Sequence, residues 1–320
     1  DRIRVCERLG VAAQDHVDVL EVTVDPDALR RHDEEVGSGR ALLLRAVLPR
    51  RPDSRGDRGR LPRRRDRRRC CVSAPTALTE RVLITGGTRG FGWALARRMQ
   101  STGALVAVCG RSVEAVAAAN AHGLTGIVAD VEDPGDRRRL IETAADHLGG
   151  LTLLVNNAAT QTGIRFDADT SAQAEQASLR EIRVDLEAPL ALTALARPHL
   201  EEQSCAGVAF ITSALGFAPK QSAPAYCAAK AGLAAFALSL RYQWAKSHPQ
   251  LSSIRIMLPL VDTDTTRGRG SGKISPEDAA QQAAQAIERG KDEIVIGRAR
   301  ILTTLHHIAP GAAARITRNE

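Results

Sequence analysis

Tyr226 and Lys230 stand four residues apart, and Ser213 precedes that tyrosine by thirteen. At i and i+4 on a helix the two side chains share one face, so the ammonium can sit beside the phenol. A phenol with a pKa of about 10 is a poor acid or base at neutral pH, and an adjacent cation favours its phenolate. The Ser213 hydroxyl can then hydrogen-bond a substrate oxygen beside the tyrosine. Far upstream runs Thr85-Gly86-Gly87-Thr88-Arg89-Gly90-Phe91-Gly92. Missing side chains in such a turn let backbone amides approach a pyrophosphate. Singly, these residues read as a core tyrosine, a surface lysine, a loop serine and a tight turn. As an ordered set they outline a hydride-transfer site.

The elements that must position this set begin at Arg81. Val82-Leu83-Ile84 reads as a buried strand ending in the glycine turn, and Phe91 to Gln100 opens a helix. Further strands are expected at Ala104 to Cys109, Thr125 to Ala129, Leu151 to Val155, Gly207 to Ile211, Ser253 to Leu258 and Ile294 to Ile296. Between them fall a helix capped by Ser112 and helices at Pro134 to His147, Ser171 to Leu200 and Pro224 to Trp244. Strands alternating with helices of this length predict an α/β fold, a doubly wound, Rossmann-like parallel sheet in a single domain over residues 79–320. Right-handed crossovers then place ligands outside the carboxyl ends of the strands.

Within that frame the turn reads as the dinucleotide site, with Gly86, Thr88, Arg89, Gly90, Phe91 and Gly92 at the pyrophosphate. A site for NAD usually carries an acidic residue at the end of the second strand. Here that position reads Cys109-Gly110-Arg111, and a guanidinium suits a 2′-phosphate. Arg89 adds a second positive charge. NADP(H) is therefore expected in preference to NAD(H). Asp130 and Val131 end the third strand, where adenine would lie. Asn157, Ala158 and Ala159 end the fourth, where small residues let the chain pass close to the cofactor.

These residues resemble the short-chain dehydrogenase/reductase superfamily, over about three quarters of the chain. The glycine turn, Asn156-Asn157-Ala158-Ala159, Ser213, Tyr226 and Lys230 appear in the family's order. Tyr226-Cys227-Ala228-Ala229-Lys230, Leu240-Arg241-Tyr242-Gln243, Val261-Asp262-Thr263-Asp264 and Gly272-Lys273-Ile274-Ser275-Pro276-Glu277-Asp278 further resemble its DltE-type oxidoreductases. The resemblance implies that Tyr226 exchanges the proton as hydride moves to or from a nicotinamide. Lys230 would lower the phenol's pKa and bind the nicotinamide ribose, and Ser213 would position the carbonyl oxygen. Val261 and Thr263 match residues that contact the cofactor. The resemblance also implies a homodimer or homotetramer built on the helices at 171–200 and 224–244.

Three positions depart from the family's pattern. Asp185 stands where an asparagine usually helps hold a water linking the lysine to solvent; it keeps the backbone but loses two donors. It also brings a negative charge towards Lys230, and it is counted here among the catalytic positions. Ala159 replaces a common glycine, and Leu258-Pro259-Leu260 replaces Pro-Gly. The segment Thr263 to Lys273 lies where the family carries its substrate lid. Its glycines, with Arg267 and Arg269, suit a mobile cover over an anionic substrate or a solvated loop.

Bulk properties bound the rest. Of the 320 residues 43% are hydrophobic, but only 3% are aromatic, so Ala, Val, Leu and Gly must fill the core. The net charge of +7 comes from residues 50–69, which hold eleven Arg and three Asp. That run cannot bury enough surface to fold and reads as disordered. Residues 1–78 are accordingly taken as an extension, or as translation upstream of the natural start. Within it, Val17 to Val24 could form a strand and Ala41 to Leu44 an apolar patch. Arginines without interleaved aromatics make nucleic-acid binding through Arg50 to Arg69 the weaker alternative. No Cys-x-x-Cys pair occurs, His306-His307 lacks a third ligand nearby, and no metal is expected. With no signal peptide or membrane-length apolar run, a reduced, cytoplasmic protein is expected.

The function expected from all this is interconversion of a carbonyl and a secondary alcohol with NADP(H). The alternative is a catalytically weak or inactive dinucleotide-binding regulatory protein, which Asp185 keeps in view. Neither the substrate nor the direction of reaction is legible.

Overall fold

The computed structural model describes residues 80–318, apart from residues 269 and 271. The expected strand at Val17 to Val24, the patch at Ala41 to Leu44, the arginine-rich run and the whole of the 1–78 extension lie outside the described residues.

Seven strands form one sheet: β1 (Arg81–Ile84), β2 (Leu105–Gly110), β3 (Thr125–Val128), β4 (Leu153–Asn156), β5 (Ala206–Ser213), β6 (Leu251–Leu258) and β7 (Glu293–Val295). Their order is β3-β2-β1-β4-β5-β6-β7, with every neighbouring pair parallel. The chain reverses direction across the sheet between β1 and β4, and a ligand crevice opens at the carboxyl ends of such a switch point. A parallel sheet is covered on both faces, so its strands are apolar throughout. Alternate residues feed opposite layers. Val82 and Ile84 pack with Leu95, Met99 and Ala283, whereas Leu83 packs with Leu140, Leu192 and Leu233.

Helices α1 (Gly90–Gln100), α2 (Val113–Ala121) and α3 (Pro134–Leu148) link the first four strands. Local chemistry starts and stops them. Ser112 accepts from Ala115 N at 3.1 Å, and Asp133 accepts from Asp136 N at 2.8 Å. Gly149, in the left-handed conformation, ends α3.

The single helix expected over Ser171 to Leu200 is instead two. Helix α4 (Ser171–Ile182) runs into a π-helical turn (Arg183–Glu187) and then α5 (Ala188–Glu201). The cause is legible in the covalent structure. Pro189 has no amide hydrogen to give the Asp185 carbonyl, and Ala188 N reaches back to Arg183 O instead. This widened turn carries Asp185.

Helix α6 (Pro224–Ser247) extends three residues past the expected end at Trp244, and β7 lies one residue earlier than expected. Helices α7 (Pro276–Glu288), α8 (Ala299–Ile308) and α9 (Pro310–Thr317) were not expected. Ser275 nevertheless caps α7 by accepting from Asp278 N at 3.0 Å. Its buried residues are all alanine, spaced along one helical face. Among the described residues no helix is long and apolar enough to cross a membrane.

Candidate active site

The glycine turn joins β1 to α1 at the switch point. Gly86 and Gly90 have φ of 61° and 56°, a conformation that favours glycine. A Cβ on Gly86 would lie 3.0 Å from Ala158 Cα, so the turn presses against the chain leaving β4. That contact is stapled from both sides. Thr85 Oγ1 accepts from the amides of Asn157 and Ala158, each at 3.0 Å. The Asn157 side-chain amide donates to Thr85 O at 2.8 Å and Gly86 O at 3.0 Å. Thr85 was not singled out from the sequence, although it stands at the head of the motif. Its role depends on β1 and β4 being neighbours, which local sequence does not state.

The backbone cradle fits a pyrophosphate, with the α1 N-terminus behind it. Three expected contributors can supply backbone only. The Phe91 side chain belongs to the apolar core, as do those of Val131 and Val261. Thr88 packs on Gly110, where a Cβ would fall 2.6 Å from its Oγ1, and so ties the turn to the end of β2. Arg111 follows, with 57% of its side chain exposed and Nη1 3.9 Å from Asp130 Oδ2. Asp130 also accepts from Glu132 N at 3.0 Å. Arg89 is exposed at the start of α1, and Ala159 is exposed beyond β4. The Ala159 methyl therefore packs into no neighbouring core.

Across the turn passes the segment after β6. Thr263 Cγ2 would lie 3.0 Å from a Cβ on Gly90, and Gly90, Asp262, Thr263, Asp264 and Arg267 line a cleft of about 370 Å³. Thr266 Oγ1 donates to Val261 O at 2.5 Å and accepts from Thr263 N at 3.1 Å, which fixes this crossing. The described cations of the expected lid, Arg267 and Lys273, have partners close in sequence. Arg267 pairs with Asp264, and Lys273 Nζ lies 3.2 Å from Asp262 Oδ1 and donates to Thr266 O at 2.8 Å. Arg269 lies outside the described residues.

On the other side of the crevice, β5 ends at Ser213 and α6 brings in Tyr226 and Lys230. Gly216 permits the approach, since a Cβ there would lie 3.0 Å from the Lys230 carbonyl carbon. Tyr226 hydrogen-bonds Ser213, and Lys230 Nζ sits 5.4 Å from the centre of the Tyr226 ring. Lys230 is 2% exposed and donates to Ile211 O at 3.1 Å. Asp185 is wholly buried on the π-helical turn, with Oδ1 3.0 Å from Lys230 Nζ. Its Oδ2 accepts from Thr160 N at 2.9 Å. Arg137, also buried, holds the same turn through Glu187 at 2.9 Å. The structure thus brings Ser213, Tyr226, Lys230 and Asp185 together.

The electrostatics differ from a simple lysine-activated phenol. Burial pushes the Tyr226 phenol above its ordinary value; Lys230 pulls it down, Asp185 pushes it up, and Ser213 pulls it down. Burial works against the Lys230 charge, but Asp185 and Tyr226 outweigh it and hold the ammonium above its usual range. Burial raises the Asp185 carboxyl, and Lys230 and the Thr160 amide offset this only in part. The lysine acts as expected on the phenol, but it is also paired with a carboxylate that opposes it.

His306 stacks on Phe217 with centroids 4.6 Å apart, and His307 Nδ1 meets Thr303 O at 2.7 Å. Among the described residues no group of three or more His, Cys, Asp or Glu is placed to hold a metal ion.

Comparison with known proteins supplies a family. Residues 80–273 match the model of the short chain dehydrogenases. The chain is 36% identical over 221 residues to the uncharacterized oxidoreductase DltE of Bacillus subtilis, covering 67% of this chain and 86% of the relative. It is 30% identical over 193 residues to the human dehydrogenase/reductase SDR family member 4, covering 58% and 67%. A crystal structure of a short chain dehydrogenase from Burkholderia cenocepacia in complex with NADP shares the fold. Its TM-score is 0.66 at 20% identity, covering 76% of this chain and 99% of that one.

Proposed function

The chain belongs to the short-chain dehydrogenase family, whose members are oxidoreductases acting on CH–OH groups, and from that premise we propose that it interconverts a carbonyl and a secondary alcohol using NADP(H). The meeting of Ser213, Tyr226 and Lys230 at the end of β5, on the same edge of the parallel sheet as the glycine turn after β1, carries this reading. The nicotinamide, when bound, supplies or takes the hydride. Tyr226 gives the proton to the carbonyl oxygen in reduction and takes it from the alcohol in oxidation. Ser213 holds that oxygen, and Lys230 favours the phenolate and reaches towards the ribose. Asp185 tempers the lysine charge.

Gly86, Thr88, Arg89, Gly90, Phe91 and Gly92 would hold the pyrophosphate, largely through backbone. Asn157, Ala158, Ala159, Val261 and Thr263 would line the nicotinamide half, and Asp130 and Val131 the adenine. Preference for NADP(H) rests on Arg111, whose long, exposed pairing with Asp130 competes little with a 2′-phosphate. The bound NADP of the Burkholderia cenocepacia relative is in keeping with it.

The Lys230–Asp185 contact also supports a second reading, a dinucleotide-binding protein with weak or no turnover. Following NADPH absorbance with the full-length protein and a panel of aldehydes and ketones separates the two. Turnover supports the enzyme; tight NADPH binding without turnover across the panel supports the second reading.

A further inference from the structure

Glu181 is wholly buried one helical turn before Asp185, and neither the glycine turn nor the Ser213–Tyr226–Lys230 group uses it. Its Oε1 accepts from Thr162 N at 2.5 Å and Thr162 Oγ1 at 2.8 Å, while Oε2 is buried with no hydrogen-bond partner among the described residues. A carboxylate in such a place is costly, and an apolar side chain of similar size would pack there more cheaply. What it does is geometric. Asp185 grips the amide of Thr160 and Glu181 the amide of Thr162, so two carboxylates on one helical face hold alternate residues of a single loop. That loop is the continuation of Asn157-Ala158-Ala159, and it reaches a small core of Ile164, Ala174 and Ala225 between α4 and α6.

We propose that Glu181 is a positioning residue: by strapping Thr162 it keeps Thr160 N on Asp185, and so keeps Asp185 against Lys230. This rests on the reaction proposed above only for its catalytic consequence. If the strap is cut, Asp185 loses the Thr160 amide, one of the two partners that hold it, and Lys230 acts on Tyr226 with less opposition. The groups facing the phenol are Lys230 and Cys227 from α6, Asp185 from the π-helical turn and Ser213 from β5. Asp185 is faced by Lys230 and Glu181, and Cys227 by Glu181 and Lys220.

The chain has two tyrosines, so Tyr242→Phe leaves Tyr226 as the sole phenol. Phenolate absorbance of the full-length protein after rapid pH jumps, without cofactor or substrate, then reads its midpoint. Glu181→Ala should lower that midpoint by roughly one pH unit, a tenfold change in phenolate fraction below it. Glu181→Gln should leave it in place, because the amide oxygen still accepts both Thr162 bonds. An unmoved midpoint in Glu181→Ala overturns the proposal, as does a shift in Glu181→Gln as large as in Glu181→Ala, which would assign the effect to charge. Should Glu181→Ala fail to fold, Glu181→Met decides, since it fills the space and accepts neither Thr162 bond: a shift in the same direction supports the strap, and none overturns it. A parent protein that turns over no carbonyl would sink the proposed reaction while the titration still judges the strap.

Discussion

Lys230 and Asp185 form a buried ion pair, Nζ to Oδ1 at 3.0 Å, where the family resemblance implied an asparagine amide. The lysine cation therefore faces two partners, the phenol it is meant to activate and a carboxylate that opposes it. Burial has already raised the phenol, so in the protein without ligands Tyr226 is protonated at neutral pH. A protonated phenol is an acid. In the proposed reaction this resting state suits reduction, and the oxidative direction would need a higher pH.

Asp185→Asn should move the pH profiles downwards. Oxidation requires the phenolate, which forms as pH rises through the raised Tyr226 pKa, so its rate climbs on the alkaline side. Removing the carboxylate lets Lys230 pull that pKa down, and the rise should begin roughly one pH unit earlier. Reduction requires the phenol, so its alkaline decline should shift the same way. Asparagine still accepts from the Thr160 amide, which limits structural damage. Rates in both directions across pH are the measurement, and coincident profiles for the two proteins would show that only the Asp185 backbone matters.

Tyr226→Phe should abolish turnover while leaving NADPH affinity nearly intact, because the ring still packs but moves no proton. Lys230→Ala should impair both, since it removes the cation beside the phenol and the proposed ribose contact. It also leaves Asp185 buried without its counter-ion, and breaking a buried pair costs about 3–5 kcal/mol. A depressed melting temperature should therefore accompany Lys230→Ala and not Tyr226→Phe. Retained activity in Tyr226→Phe would end the proposed mechanism.

Much of this was legible because parallel sheets write themselves plainly. Val82-Leu83-Ile84 followed by Thr85-Gly86-Gly87 is a buried strand and its turn, and spacing alone put Tyr226 and Lys230 on one helical face. What stayed hidden depends on distant pairing. Thr85 matters through its bonds to Asn157 and Ala158, 72 and 73 residues away. Glu181 was not singled out from the sequence, because its burial and its bonds to Thr162 depend on a loop nineteen residues away. The π-helical turn could have been suspected from Pro189, whose missing amide breaks the ladder at Asp185. The alanine-rich α7 was legible too, with its cap at Ser275 and its alanines at 279, 280, 283, 284 and 286 on one face, but neither signal was used.

NADPH should bind more tightly than NADH, and Arg111→Asp should reverse the order. A charge-assisted contact to the 2′-phosphate contributes about 1.5–3 kcal/mol, or roughly ten- to a hundredfold in affinity. Since Arg111 is 57% exposed, the lower end is the better expectation in salt. An aspartate there would repel the 2′-phosphate and could hold ribose hydroxyls instead. Fluorescence titration of both cofactors tests it, and equal affinities in the parent would remove Arg111 and Arg89 from the site.

Gly92 offers a test of the cradle itself, because it is needed for space and not for conformation. It lies inside α1, yet a Cβ there would stand 2.4 Å from Asn157 Nδ2 and 2.6 Å from Gly86 O. Gly92→Ala must therefore push the Asn157 amide off Thr85 O and Gly86 O, the two bonds that hold the turn to β4. Overpacking of this kind costs about 1–3 kcal/mol, and the displaced turn should weaken NADPH binding at least tenfold. Gly103→Ala is the matching control. Its φ of 94° strains any other residue, but nothing lies within 4 Å of the added carbon. It should lose about 1–2 kcal/mol of stability with cofactor affinity unchanged. Thermal melts and fluorescence titrations on both variants separate the cases. If Gly92→Ala lost stability but bound NADPH as the parent does, the cofactor would not lie on this turn, and the site between β1 and β4 would have to be assigned to something else.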